Sequence, residues 1–332
     1  MTFKILSCDG GGIRGLVTAL LIKDLDSSFN VISRADGFAG TSTGGLISLG
    51  LAKGVSIDDI IGIYKNQGST IFTGNDDFLD ARKAGAGVAH SIEEMTSGPG
   101  YFSCQYTNTG LIQVAESLMG NSSLKDMSKY VSVNSVRLWD KNEWTSATLS
   151  NSAKSPYLDV KMSDAALATS AAPTYFPPYQ IGELGFFADG GTFANNPSVT
   201  AVADAMAGGR FSSLSDARVL SLGTGTASQG IAPSSIPTPL DWGVNYWMYP
   251  WKYNGVPAMA LLNMMMDCTA DVATVEASNL LGDGFCRGNV PLNKAYPLDD
   301  WKHISVLELA TAAHIKSDEW KAVRKWVSSN WK

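Results

Sequence analysis

Histidine is the scarcest useful residue in this chain, with three among 332 residues: His90, His303 and His314. So little imidazole leaves few of the usual general bases and few nitrogen ligands for zinc. Cysteine is almost as rare. Cys8, Cys104, Cys268 and Cys286 lie far apart, with no CxxC pair and no companion histidine. That argues against a metal site or a disulfide framework and fits reduced thiols in a cytosol. Positive charge is also short: 25 Lys and Arg stand against 31 Asp and Glu, for a net charge of −6. A nucleic-acid polymer needs a basic face to neutralise its phosphates, and anionic lipid needs a polybasic cluster; neither is visible. Long apolar runs are missing too. Leu16–Ile22 and Val256–Met266 are the longest near-apolar stretches, and both are too short to span a bilayer. The opening Met-Thr-Phe-Lys carries no signal-peptide pattern. The expected location is cytoplasmic, with peripheral contact at membranes left open.

What is present is an ordinary globular composition, 45% apolar and 17% charged. No repeat, charge block or Pro/Ser-rich linker marks a boundary, so residues 1–332 read as a single domain. Phe3–Cys8 is a short apolar run ended by glycines, and reads as a buried strand. Leu16, Val17, Leu20, Leu21 and Leu25 then follow at helical spacing. A second strand is predicted over 36–40, followed by a helix over 44–53 that Gly54 stops. Ser56 and Asp59 sit at capping-box spacing before a further helix. Later strands are expected near 131–139, 185–188 and 218–222, and helices near 111–119, 164–171, 199–207 and 318–331. Alternating strands and helices indicate an α/β fold with a mostly parallel central sheet. The stretch 229–253, rich in Pro and aromatics, reads as an irregular excursion.

The loop Cys8-Asp9-Gly10-Gly11-Gly12-Ile13-Arg14-Gly15 satisfies G-x-G-x-x-G. A dinucleotide site would also need an acidic residue closing the second strand, whereas Asp36 opens it. The same backbone can instead meet an oxyanion, since glycines permit close approach and N–H groups at a helix start carry partial positive charge. Gly11 and Gly12 are the preferred donors. Arg14 either adds positive charge or makes a structural ion pair, and Asp9 is expected to brace the loop by accepting backbone N–H bonds.

Gly40-Thr41-Ser42-Thr43-Gly44 is a G-x-S-x-G motif between a predicted strand and a predicted helix. That context fits a sharp turn presenting Ser42 as a nucleophile. Its base is harder to find. His303 sits in a candidate strand, His314 lies late in an Ala-rich helix, and neither stands in a motif. Asp189 follows the apolar Phe186-Phe187-Ala188 and precedes Gly190-Gly191, so it should close a strand, although an ordinary Asp-Gly turn reads the same way.

Taken together these pieces resemble the patatin-like acyl hydrolases, the plant patatins and their bacterial relatives. The resemblance is carried in order by residues 9–15, by 40–44, by Ala168-Thr-Ser-Ala-Ala-Pro-Thr-Tyr-Phe-Pro-Pro178, and by Asp189-Gly-Gly with Asn195-Asn-Pro197. Ser221-Leu-Gly-Thr-Gly225 is similar to a fifth block. The resemblance covers residues 3–225; residues 226–332 are left as a lid or pocket excursion followed by C-terminal helices.

It implies a three-layer α/β/α sandwich and a Ser–Asp dyad without histidine: Ser42 as nucleophile, Asp189 as base, and the loop Gly10, Gly11, Gly12 as oxyanion hole. Arg14, Gly40, Gly44, Gly190 and Gly191 support that site. No cofactor or metal is implied. The implied substrate is a membrane phospholipid or another acyl lipid. Some similar bacterial enzymes act only when a cyclic nucleotide switches them on, so such an activator stays open, as do a homodimer and a weakly active storage or binding protein. Asn195, Asn196 and Pro197 read as scaffold, with Pro173 expected to end a helix and Tyr175 and Phe176 as candidate pocket liners. Trp242, Tyr246, Trp247, Tyr249, Trp251 and Tyr253 suit lipid contact, whereas Met259, Met264, Met265 and Met266 read as core packing or a dimer contact.

Overall fold

In a computed structural model, residues 2–74, 104–236, 238–249, 252 and 254–332 are described. Phe3–Cys8 is β1, and after the glycine loop Gly15–Phe29 is α1. Gly37–Thr41 is β2, Thr43–Lys53 is α2, and Ile57–Asn66 is α3. Gly54 ends α2 in the left-handed conformation at φ 89°, and the Ser56 hydroxyl accepts the Asp59 N–H to cap α3. Then come α4 (Thr109–Met119), the hairpin β3 (Tyr130–Asp140) and β4 (Glu143–Ser150), α5 (Met162–Thr169), β5 (Tyr179–Ile181), β6 (Gly185–Asp189), α6 (Ser198–Ala207) and β7 (Ala217–Leu222). Among the described residues, the excursion after β7 contains only short turns, and the chain closes with α7 (Ala260–Leu281), β8 (Phe285–Gly288), α8 (Ile304–His314) and α9 (Asp318–Asn330).

Strands β2, β1, β7 and β8 lie side by side and parallel, with β3 parallel to β2. Side chains alternate across a strand, and here each alternation feeds a separate core. Leu6, Phe38, Val131 and Leu220 join the larger core with α1, α2, α4 and α5. Their neighbours Ile5, Ala39, Tyr130 and Val219 face the other way, onto Ala201, Val202 and Ala205 of α6. The result is the expected three-layer α/β/α arrangement around a mostly parallel sheet.

Asp189 closes its strand, as expected. That strand runs antiparallel, pairing Ser135 with Asp189 and Arg137 with Phe187. β4 occupies one edge of β3 from Ser132 to Arg137. The opposite edge therefore holds β2 as far as Thr41, opposite Asn134, and then β6 from Asp189, opposite Ser135. β3 is longer than β2, and a returning strand fills the overhang. β2 and β6 thus meet end to end on one edge, which brings the residue after Thr41 up against Asp189.

Three expectations are corrected. His303 lies in a 3-10 turn, Trp301–His303, because Asp300 and the following helix leave it no strand partner. α5 ends at Thr169, four residues before Pro173, so proline is not what stops it. The strands β4, β5 and β8 and the helix α7 were not anticipated. No described helix is long and apolar enough to cross a membrane.

Candidate active site

β2 ends at Thr41 and α2 begins at Thr43, so Ser42 alone makes the turn. Its φ of 55° and ψ of −125° are unfavourable for a side-chain-bearing residue and persist only where surroundings impose them. Those surroundings are specific. The Ser42 N–H donates to Thr169 Oγ1 at 2.9 Å, and the Thr169 hydroxyl donates on to the Asn134 carbonyl. Gly45 and Leu46 return their N–H groups to the Ser42 carbonyl at 2.8 and 3.1 Å. The flanking glycines answer to close packing: a Cβ at Gly44 would lie 2.0 Å from the Cys8 carbonyl oxygen, and one at Gly40 2.1 Å from that of Gly44.

Asp189 is 3% exposed at the end of β6. Its N–H donates to the Ala171 carbonyl at 2.9 Å, while its Oδ1 accepts the Gly191 N–H at 2.7 Å and its carboxyl also bonds the Ser42 side chain. Burial pushes the carboxyl up to about 7, and the bonds from Ser42 and Gly191 only partly oppose that. At Gly190, a Cβ would stand 2.4 Å from the Asn134 carbonyl oxygen, so the turn after Asp189 packs directly on β3. Neither described histidine bonds this pair: His303 is exposed beside Asp300, and His314 packs against Trp320. His90 lies outside the described residues.

The glycine loop abuts the serine, with the Cβ position of Gly10 3.3 Å from Ser42 Cβ. Gly10 itself cannot serve as an oxyanion donor, because its N–H is taken by the Asn195 carbonyl at 3.0 Å. Among the described residues, no acceptor engages the N–H of Gly11 or Gly12. Gly12 holds φ 57°, and a Cβ there would lie 2.2 Å from the Leu298 carbonyl oxygen, so the position suits glycine. Asp9 braces this loop differently from expectation. Arg287 of β8 pairs with both of its carboxylate oxygens and also donates to Ser221 Oγ at 2.8 Å. Burial raises the Asp9 carboxyl while Arg287 opposes the rise. Nothing in the sequence singles out Arg287; only the pairing of Ser221 with Arg287 across β7 and β8 delivers it. Arg14 is half-buried, donates to the Gly11 carbonyl at 3.3 Å, and has its pKa lowered by burial against the nearby charge of Asp267.

Ser42 opens onto a narrow apolar cleft walled by Ile13, Leu46, Ile71, Leu111, Tyr175 and Phe176 among others. Phe176 packs with Phe72 and Tyr106 at ring-centroid distances of 5.9 and 5.7 Å, so one wall is a rigid aromatic cluster. Asn196 meets the scaffold reading, its Oδ1 accepting from the Ser198 N–H and hydroxyl at 3.0 and 2.6 Å. In the aromatic excursion Trp242 stacks on Tyr246 at 4.9 Å and meets Trp247 edge-on at 5.2 Å. Trp251 and Tyr253 lie outside the described residues. Met259 and Met266 are buried as expected, but Met264 and Met265 are exposed, being on the outer side of α7.

Comparison with known proteins gives a consistent relationship. Residues 6–202 match the family model described as patatin-like phospholipase. A cGAMP-activated phospholipase of Vibrio cholerae is 32% identical over 247 residues, covering 70% of this chain and 67% of the relative. A putative sporulation hydrolase, CotR, of Bacillus subtilis is 27% identical over 349 residues, 99% of this chain and 98% of the relative. Patatin-07 of Solanum tuberosum is 29% identical over 278 residues, 74% of this chain and 66% of the relative. The chain thus spans about two thirds of the length of the first and third of these. On the matched residues, which hold both glycine motifs, Ser42 and Asp189, the chain belongs to the patatin-like phospholipase family.

Proposed function

We propose that this chain hydrolyses fatty-acyl esters of lipids through an acyl-enzyme on Ser42. The carrying observation is a strained serine bonded to a buried carboxylate, at the mouth of an apolar cleft and, among the described residues, with no histidine between them. As Ser42 Oγ attacks the ester carbonyl, Asp189 takes its proton. The N–H groups of Gly11 and Gly12 meet the oxyanion that forms. The proton passes to the departing alcohol, and water then attacks the acyl-enzyme with Asp189 again as base. Gly40, Gly44, Gly190 and Gly191 keep the turns tight, and Arg14 holds the loop at Gly11. Membership of a family of lipid acyl hydrolases supports this reading. No step requires a metal, so a chelator should leave the rate unchanged.

A carboxyl that titrates near 7 must be ionised to accept a proton. The expected kcat/KM for a soluble p-nitrophenyl ester therefore rises about tenfold per pH unit below that value and levels off above it. Stability moves the other way. An unfolded aspartate ionises near 3.8, so the folded chain holds the extra proton between 3.8 and about 7, and this group's contribution to stability falls as pH rises through that window. A flat pH–rate profile between pH 5 and 8 would remove Asp189 as the base. Hydrolysis of phosphatidylcholine as well as the soluble ester, both lost in Ser42→Ala, tests the reading as a whole.

A second reading is favoured by two relatives described as cGAMP-activated phospholipases. In it the same dyad is latent until a cyclic dinucleotide binds. Wild-type protein would then be nearly silent on both substrates alone and active once cGAMP is added.

A further inference from the structure

Among the described residues, the most exposed aromatic groups lie away from the cleft, at the tip of the β3–β4 hairpin. Trp139 is 63% exposed and Trp144 is 84% exposed. Lys141 and Asn142 make the two-residue turn with φ of 51° and 74°, the left-handed pair that suits a tight hairpin. Between the pairs Arg137–Thr145 and Asp140–Glu143, Leu138 and Trp139 together oppose Trp144 in a β-bulge. Trp139 and Trp144 thus sit at opposed positions on a ladder-bonded support. An indole is among the largest apolar groups a side chain can bury, so leaving two in water needs a reason.

The hairpin also points the right way. Asn134 is level with Thr41, the residue before Ser42, and β3 continues beyond it past the carboxyl end of β2. At about 3.3 Å per residue, Trp139 stands roughly 17 Å beyond the level of Thr41. Phe186, 48% exposed on β6, flanks the same overhang.

We propose that this tryptophan hairpin is an interfacial anchor that seats the catalytic edge of the sheet on a zwitterionic lipid surface. The inference rests on the lipid-hydrolase reading above. Area argues against a second copy as the occupant. Two indoles and a phenyl ring offer a few hundred Å², whereas a stable protein interface takes about 800 Å² per partner. Charge argues against an anionic surface: Arg137 and Lys141 balance Asp140 and Glu143, and the chain as a whole carries −6. Indoles suit the head-group level of a bilayer without help from charge.

The test is co-sedimentation of Ser42→Ala protein with sucrose-loaded phosphatidylcholine vesicles, compared with the same protein carrying Trp139→Ser and Trp144→Ser. The parent should bind with little dependence on salt, and the double substitution should weaken binding by roughly tenfold or more. In the otherwise wild-type protein the same two substitutions should leave hydrolysis of p-nitrophenyl butyrate unchanged. Equal vesicle binding by both proteins, or no binding by the parent, would overturn the anchor. So would gel filtration showing that the substitutions split a dimer. Binding is read on a catalytically silent protein, so failure of the anchor is distinct from failure of the hydrolase reading, which the soluble ester reports.

Discussion

Asp189→Asn and Ser42→Ala should each lower kcat/KM for a soluble acyl ester by about 10⁴-fold or more, and combining them should lower it little further. Groups that act as one unit lose most of their effect when either is removed. Asparagine keeps the shape of Asp189 and can still accept the Gly191 N–H that now meets Oδ1 at 2.7 Å, but it cannot take the serine proton. Folding should not explain the loss. The wild-type carboxyl is 3% exposed and pushed up to about 7, so at pH 8 its ionised form costs the fold several kcal/mol that asparagine does not. Thermal unfolding at pH 8 should therefore place Asp189→Asn at or above wild type. An Asp189→Asn protein that keeps more than a tenth of wild-type activity would show that some other group is the base.

Arg287→Met should lower stability by about 3–5 kcal/mol in urea unfolding, a large loss for a residue well away from Ser42 in sequence. The reason is what it leaves behind. Asp9 is 3% exposed and Arg287 supplies its countercharge through two donors, so methionine strands a buried carboxylate. Asp9→Asn in the same protein should restore part of the loss, because an amide needs no countercharge. Activity should fall with Arg287→Met even where the protein remains folded, since Asp9 leads directly into Gly10 and Gly11. A change below about 1 kcal/mol would mean that water, and not Arg287, compensates the carboxylate.

The parts of this site that could be read from sequence are those whose signals are local. A strand ended by glycines, a G-x-S-x-G turn and a capping box each announce themselves within a few residues. Their positions, β1, Ser42 and the start of α3, were found to within a residue or two. Asp189 carried only an Asp-Gly turn signal, and a family resemblance was needed to prefer it. Nothing local tells that its strand runs antiparallel, because that depends on β3 outrunning β2. Arg287 was invisible for the same reason, lying in a four-residue strand whose partner is 66 positions earlier. α7 escaped notice because it lacks a clean polar face: Val272 and Val275 are 55% and 59% exposed, which blurs the helical period. Gly10 failed as a donor on a long-range carbonyl from Asn195 that no spacing rule supplies.

The end-to-end meeting of β2 and β6 on one edge of β3 makes that strand a ruler. Thr41 is gauged against Asn134 and Asp189 against Ser135, so one peptide bond of β3 sets the gap between the two reacting partners. The Ser42 N–H bond to Thr169, at the end of α5, is a second tie that holds the serine at that height. A single residue inserted between Asn134 and Ser135 would move Asp189 by about 3.3 Å and turn its side chain to the opposite face. Substitutions in the hairpin beyond Arg137 leave the ruler intact, so the tip is free to change what it touches while the spacing at the serine stays constant.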